Sequence, residues 1–170
     1  MHSTNVLYNK SLDCIGENGH PVDYAQAFSL NARAAAMGFR DAILAMGWFY
    51  YNGFGTPQDL RSAEHWYRKA ARLGDPKAMF SLGQLACDQQ MFKAAQQWFE
   101  RAHKHGHVRS LYWLAKLYWR GQGVPCDHLK AIKLFEQAAR ANDYEAKRFM
   151  RFRNRRRYIP ESDIDSPQFN

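Results

Sequence analysis

Long hydrophobic runs are missing from this sequence of 170 residues. No stretch approaches the roughly 20 consecutive apolar residues that a transmembrane helix needs, so we expect no membrane span. The first ten residues, Met1 to Lys10, lack the apolar segment of a secretory signal peptide, and we expect no such peptide. Hydrophobic residues nevertheless make up 46% of the chain and aromatic residues 15%, which is enough to build a packed core.

Cysteine is also scarce. The three cysteines, Cys14, Cys87 and Cys126, are widely spaced, odd in number and form no C-x-x-C pair. This usage argues against a disulfide framework and suits structural thiols in a reducing compartment. We therefore expect a cytoplasmic protein.

Motifs that carry catalysis are absent as well. The sequence contains no G-x-S-x-G, no H-E-x-x-H, no paired catalytic carboxylate motif and no phosphate-binding glycine loop, so we expect no enzymatic activity and no cofactor. His103, His105 and His107 invite the alternative of metal-dependent chemistry, but no cysteine or carboxylate stands at a recognisable ligand spacing. We favour a structural role for these histidines at a helix end, where they complement the helix dipole.

Positive charge is concentrated near the end of the chain. The formal net charge is +8, and seven of the 24 basic residues fall between Lys147 and Arg157 with no acidic residue among them. The remaining 17 basic residues nearly balance the 16 acidic ones. The basicity of this protein is thus a local feature of residues 147–157.

A repeated phrase is the strongest pattern present. Gly53-Phe-Gly-Thr-Pro-Gln-Asp59 recurs as Gly121-Gln-Gly-Val-Pro-Cys-Asp127, and a degenerate copy spans Gly19 to Asp23. Each copy leads into an Ala-rich segment whose apolar residues lie three and four apart, which is helical periodicity. These segments begin at Ala27, Ala63, Ala95 and Ala131 and end near Gly38, Gly74, Gly106 and Asn142.

A second helical segment precedes each turn, so the repeating unit is predicted to be helix, turn, helix. The units start near residues 6, 42, 78 and 110, and a capping helix is expected from residue 146. The Gly or Asn that ends each Ala-rich helix is expected to be a left-handed C-cap. In the third unit, Asp88 to Met91 replaces the glycine loop and predicts a tighter turn.

This pattern resembles the Sel1-like repeat, a branch of the tetratricopeptide helical-hairpin superfamily. The resemblance rests on the Ala42-x-x-x-Met46-Gly47-x-x-Tyr50 helix, the Gly53–Asp59 turn, and Ala63, Trp66, Tyr67, Ala70, Ala71 and Gly74. It implies an all-α fold, a right-handed superhelical solenoid of antiparallel helix pairs with about four repeats and a C-terminal capping helix. It also implies a protein-interaction scaffold or adaptor, which we expect to be bacterial. We expect one domain over residues 1–158 and a flexible tail over residues 159–170.

One helix face is left over for a partner if the hairpins stack as they do in this family. At 100° per residue, a sector next to the packing sector carries aromatic and basic side chains. We predict that this sector lines the concave groove and binds an acidic protein or peptide with apolar anchors, because aromatic residues and Arg are enriched at binding hot spots. The alternative for each aromatic residue is packing between neighbouring helices. The predicted groove residues are Trp48, Tyr51, Phe80, Gln84, Arg109, Tyr112, Lys116, Trp119 and Arg120.

The C-terminal basic cluster offers a rival function. Its arginines could bind nucleic acid or an acidic partner, or could form the solvated face of the capping helix. The resemblance also allows a third role, that of an immunity protein that neutralises a toxin. The cluster consists of Arg148, Arg151, Arg153, Arg155, Arg156 and Arg157.

Overall fold

The computed structural model describes residues 2–15 and 22–156, and these residues form α-helices without any strand. The predicted all-α class is confirmed. Most of the degenerate glycine copy, Gly19 to Asp23, lies outside the described residues. Arg157 and the predicted tail over residues 159–170 also lie outside them. The helices are α1 (His2–Cys14), α2 (Tyr24–Ala36), α3 (Arg40–Asn52), α4 (Leu60–Arg72), α5 (Pro76–Asp88), α6 (Phe92–Lys104), α7 (Arg109–Arg120), α8 (His128–Arg140) and α9 (Tyr144–Arg156).

Helices α1 and α2, α3 and α4, and α7 and α8 pack as hairpins, and the helix ends follow from the repeated residues. Aspartates begin several of them: the Asp59 carboxylate accepts hydrogen bonds from the backbone N–H groups of Arg61 and Ser62 at the start of α4. Asp127 does the same for Lys130 at the start of α8. Such caps satisfy backbone donors that have no partner inside the helix.

Each Ala-rich helix is followed by a residue in the left-handed backbone conformation, as predicted. Gly38, Gly74, Gly106 and Asn142 all have positive φ angles, between 73° and 90°. The tight turn predicted for the third unit is also confirmed, because only three residues separate α5 from α6. Gln90 in this turn has a φ of 59°, which is unusual for a residue other than glycine.

The second glycine of each loop lies against the start of an earlier helix. A Cβ atom on Gly55 would lie 2.1 Å from the carbonyl oxygen of Tyr24, the first residue of α2. A Cβ atom on Gly123 would lie 2.6 Å from the backbone of Phe92 and Lys93 at the start of α6. The loop backbone can approach these helices only because glycine has no side chain.

The chain divides into two compact units, residues 1–85 and 86–170, with the division inside α5. In unit 1 the core includes Ala27 and Ala34 of α2, together with Met46 and Phe49 of α3. Tyr67 of α4 lies over Gly47, whose Cβ position is only 2.4 Å from the tyrosine ring. In unit 2 the core contains more aromatic residues than the core of unit 1 and includes residues of α7, α8 and α9. At its centre the rings of Phe135 and Phe149 stack, with centroids 3.9 Å apart.

Within the described ranges, no helix combines the length and the apolar character needed to cross a membrane.

Candidate binding face

In unit 1, Trp48 is the most accessible of the predicted groove residues. It is 38% exposed, and its ring lies 5.1 Å from that of Phe54 and 6.5 Å from that of Tyr24. Tyr51, Phe80 and Gln84 are half-buried. All four side chains therefore retain some surface from which a partner could be contacted.

A cavity of about 300 Å³ opens beside Trp48. Asp41 and Leu44 of α3 and Lys77 of α5 also line it. Trp48 is the one member of the predicted groove set that borders the cavity. The remaining lining residues are Tyr8, Ser11, Leu12, Ile15, Asn31, Ala45, Phe49, Tyr67 and Ser81.

Several of these cavity residues were not predicted, although the repeat register points to them. Counting back 36 residues from Leu44, Trp48 and Tyr51 gives Tyr8, Leu12 and Ile15 of the first repeat. The same sector of α1 therefore contributes to the same surface. Extending the register by one repeat identifies these three residues from sequence alone.

In unit 2, three of the predicted groove residues are buried. Tyr112 is 4% exposed, and Lys116 and Trp119 are each 8% exposed. Tyr112 packs against Phe135 of α8 at 5.6 Å, and Trp119 packs against Phe149 of α9 at 5.4 Å. These two aromatic residues follow the packing alternative, since the next helices cover their side of α7.

The two predicted arginines of unit 2 are more accessible than the buried residues between them on α7. Arg109 is exposed and Arg120 is half-buried. The part of the predicted set that is open to a partner in unit 2 is thus basic, whereas in unit 1 it is mainly aromatic.

Lys116 is a buried cation in this region. Its ammonium lies 4.9 Å from the Trp113 ring and 5.7 Å from the Tyr112 ring. Burial, together with a smaller contribution from repulsion by Arg120, lowers the pKa of Lys116 to about 8. The two rings supply the cation–π attraction that partly offsets this burial.

Cys87 is a half-buried thiol that interacts electrostatically with Lys116. Burial raises the pKa of Cys87 to about 11, with a further contribution from the negative charge of Asp88. Because the thiolate is the nucleophilic form, this shift disfavours covalent chemistry at Cys87 near neutral pH.

The predicted basic cluster is only partly described. Arg151 is exposed, Arg148 is half-buried, and Arg153 forms an ion pair with Glu136 at 3.7 Å. Arg155 and Arg156 belong to the last turn of α9. Arg157 lies outside the described residues.

The three histidines lie at the end of α6 and in the following turn. The Nδ1 atom of His105 lies 2.9 Å from the carbonyl oxygen of Arg101, and that of His107 lies 3.0 Å from Ser110 Oγ. Across the described ranges, no group of three His, Cys, Asp or Glu residues is arranged to hold a metal ion.

Comparison with known proteins identifies the repeat. The family model described as the Sel1 repeat matches residues 14–39, 40–75, 76–107 and 108–143. A solved Sel1 repeat protein from Oxalobacter formigenes superposes with a TM-score of 0.81 and 25% identity, covering 94% of this chain and 68% of that one. A protective antigen of uropathogenic Escherichia coli with an SLR fold gives a TM-score of 0.77 and 26% identity, over 88% of this chain and 33% of that one. The predicted fold class, an all-α repeat solenoid, is confirmed.

A curated relative covers most of the chain. An uncharacterized protein of Neisseria meningitidis serogroup B is 30% identical over 121 residues, which are 71% of this chain. The aligned part spans 26% of that relative. A chitin synthase regulator of Malassezia restricta is 39% identical over 66 residues, which are 39% of this chain and 5% of that protein.

Proposed function

Because this chain belongs to the Sel1 repeat family, we propose that it is a non-enzymatic scaffold or adaptor that binds a partner protein or peptide through the predicted groove face. Sel1 repeats typically mediate protein–protein interactions, and the family is generally a non-catalytic scaffold fold. The observation that carries the proposal is the exposed Trp48 at the edge of an apolar cavity in unit 1. A partly exposed tryptophan beside a pocket is typical of a protein-binding hot spot.

The charge of the predicted groove residues in unit 2 favours a partner that carries acidic groups. Arg109 is exposed and Arg120 is half-buried in unit 2, and both belong to the predicted groove set. Basic residues of this kind attract carboxylates and increase the rate of association with an acidic surface.

The experiment compares capture of a partner by matched variants of the full chain. The wild-type chain is used as bait in native lysate, and the retained proteins are identified by mass spectrometry. We expect Trp48→Ala and Arg120→Glu to reduce recovery of the same protein at least about tenfold, as hot-spot truncation does.

Tyr144→Ala is the control, because Tyr144 is a large aromatic residue, 71% exposed, outside the predicted groove set. It should leave recovery unchanged. Equal recovery by Trp48→Ala, Arg120→Glu and wild type would show that this face does not bind the partner.

The basic cluster supports a second candidate, binding of nucleic acid. The supporting observation is Arg151, which is exposed on α9 and is followed by further arginines in the same helix. Binding of this kind depends steeply on salt, because phosphate contacts release counterions.

A further inference from the structure

The cavity in unit 1 is suited to one large side chain. Its volume of about 300 Å³ is at the lower end of the range for small-molecule pockets. The walls are mainly aromatic and aliphatic, with Tyr8 and Leu12 from α1, Leu44 and Trp48 from α3, and Tyr67 from α4.

Asn31 gives this apolar cavity a specific polar requirement. The residue lines the cavity and is only 2% exposed. Its Nδ2 donates a hydrogen bond to the carbonyl oxygen of Ala27 at 2.9 Å, within its own helix. Its Oδ1 is buried and has no hydrogen-bond partner in the part of the chain that the structure describes. Buried acceptors of this kind are rare, because losing water without a replacement is unfavourable.

The repeat register shows what the first repeat lacks at this position. Asn31 corresponds to Tyr67, Phe99 and Phe135 in the other three repeats, and each of those rings is buried in its own unit. Ser11 corresponds in the same way to Gly47, over which the Tyr67 ring lies. The first repeat therefore has a small polar pair where the second has a glycine covered by a ring.

We propose that the unit 1 cavity binds a tyrosine or tryptophan side chain of the partner, with its O–H or N–H donating to Asn31 Oδ1. The inference rests on the proposed function and names the anchor that this face would accept. An aromatic ring supplies the group missing from the first repeat, and Tyr8 and Trp48 offer rings for edge or offset contacts. A phenylalanine would fill the space but leave Oδ1 without a donor.

The proposal is tested with indole on the full chain, followed by backbone amide shifts in NMR spectra. We expect saturable shifts at Ser11, Asn31 and Ser81. 1-Methylindole has the same ring system but no N–H, so we expect it to bind about fivefold more weakly, the effect of one hydrogen bond. The absence of saturable shifts at these residues, or equal affinities of the two compounds, would refute the proposal.

Two substitutions test the site itself. Ala45→Leu places a larger side chain in the cavity and should abolish indole binding, whereas Ala36→Leu, at an exposed position of α2, should preserve it. Asn31→Leu removes the acceptor at similar volume, so indole and 1-methylindole should then bind equally. A preference for indole that survives in Asn31→Leu would contradict the assigned hydrogen bond.

Partner capture separates this inference from the proposed function. Reduced capture by both Trp48→Ala and Ala45→Leu supports both. Reduced capture by Trp48→Ala with normal capture by a folded Ala45→Leu chain would refute the cavity anchor and leave the interaction role standing.

Discussion

At the scale of single residues, glycine is required where the loop backbone touches an earlier helix. Gly55 and Gly74 both have positive φ angles, 67° and 84°. Of the two, only Gly55 is in close contact with another helix. A Cβ atom on Gly55 would clash with the carbonyl oxygen of Tyr24, whereas a Cβ atom on Gly74 would have no neighbour within 4 Å. The two positions therefore separate the effect of backbone conformation from that of close contact.

We expect Gly74→Ala to lower the free energy of unfolding by about 1–2 kcal/mol, the cost of a left-handed conformation. Gly55→Ala should cost a further 1–3 kcal/mol or so, because the methyl group displaces the start of α2. Urea unfolding of both variants measures the difference. Equal losses would show that the contact with Tyr24 does not matter.

Lys116 links the stability of the protein to pH. Its pKa is lowered to about 8 in the folded state, against an ordinary value of 10.5 in the unfolded chain. The unfolded state consequently binds more protons between these two values, so the free energy of unfolding rises with pH in that window. Below pH 8 the cost of burying the charge is present in full.

Lys116→Met should therefore stabilise the protein by about 2 kcal/mol at pH 7, and the gain should shrink as pH approaches 10. Urea unfolding at pH 7, 8.5 and 10 measures it. Lys133→Met, at an exposed position of α8, serves as the control and should show no such trend. A gain for Lys116→Met that is independent of pH would mean that the charge of Lys116 is not the cause.

At the scale of elements, the turn between α5 and α6 is the irregular one. It contains Gln90 with a φ of 59°, whereas the α2–α3, α4–α5 and α6–α7 turns use glycine and the α8–α9 turn uses Asn142. A side chain in the left-handed region is strained against its own backbone.

We expect Gln90→Gly to raise the free energy of unfolding by about 1 kcal/mol. Gln89→Gly, in the same turn but without a positive φ, should be neutral or slightly destabilising. Thermal unfolding of the two variants gives the comparison. Destabilisation by Gln90→Gly would show that loss of chain entropy outweighs relief of the backbone strain.

The helices and turns were largely predictable from the sequence, whereas contacts between helices were not. Periodic alanines and terminal glycines predicted the helix pairs, and the missing glycine loop predicted the short α5–α6 turn, because local backbone chemistry determines these features. The burial of Tyr112 and Trp119 was not predictable from one helix. It depends on Phe135 and Phe149, which reach α7 from helices that follow it in the chain. The cavity was not predicted. Asn31, which lines it, stands where the other three repeats carry a buried aromatic residue, and this difference becomes visible only when all four repeats are compared.

At the scale of the whole molecule, the net charge of +8 is dominated by the C-terminal cluster. If this cluster binds polyanions, its arrangement should matter beyond its contribution to the total charge. A variant with Arg151, Arg155, Arg156 and Arg157 changed to Gln should elute from heparin at clearly lower salt.

The control has Arg33, Arg61, Lys104 and Lys133 changed to Gln, which removes the same number of charges from exposed positions elsewhere. We expect this control to elute between wild type and the cluster variant. Identical elution of the two variants would show that only net charge is sensed.

The contact of Gly55 with Tyr24, and that of Gly123 with Phe92, also constrain how such a chain can be assembled and rebuilt. Each loop rests on a helix that precedes it in sequence, so during synthesis the surface that receives the loop has already left the ribosome. The dependence runs in one direction, from the C-terminal to the N-terminal side. Removing a hairpin therefore takes away the support of the loop that follows it, and insertions or deletions should be tolerated best when they keep a loop together with the helix on which it rests.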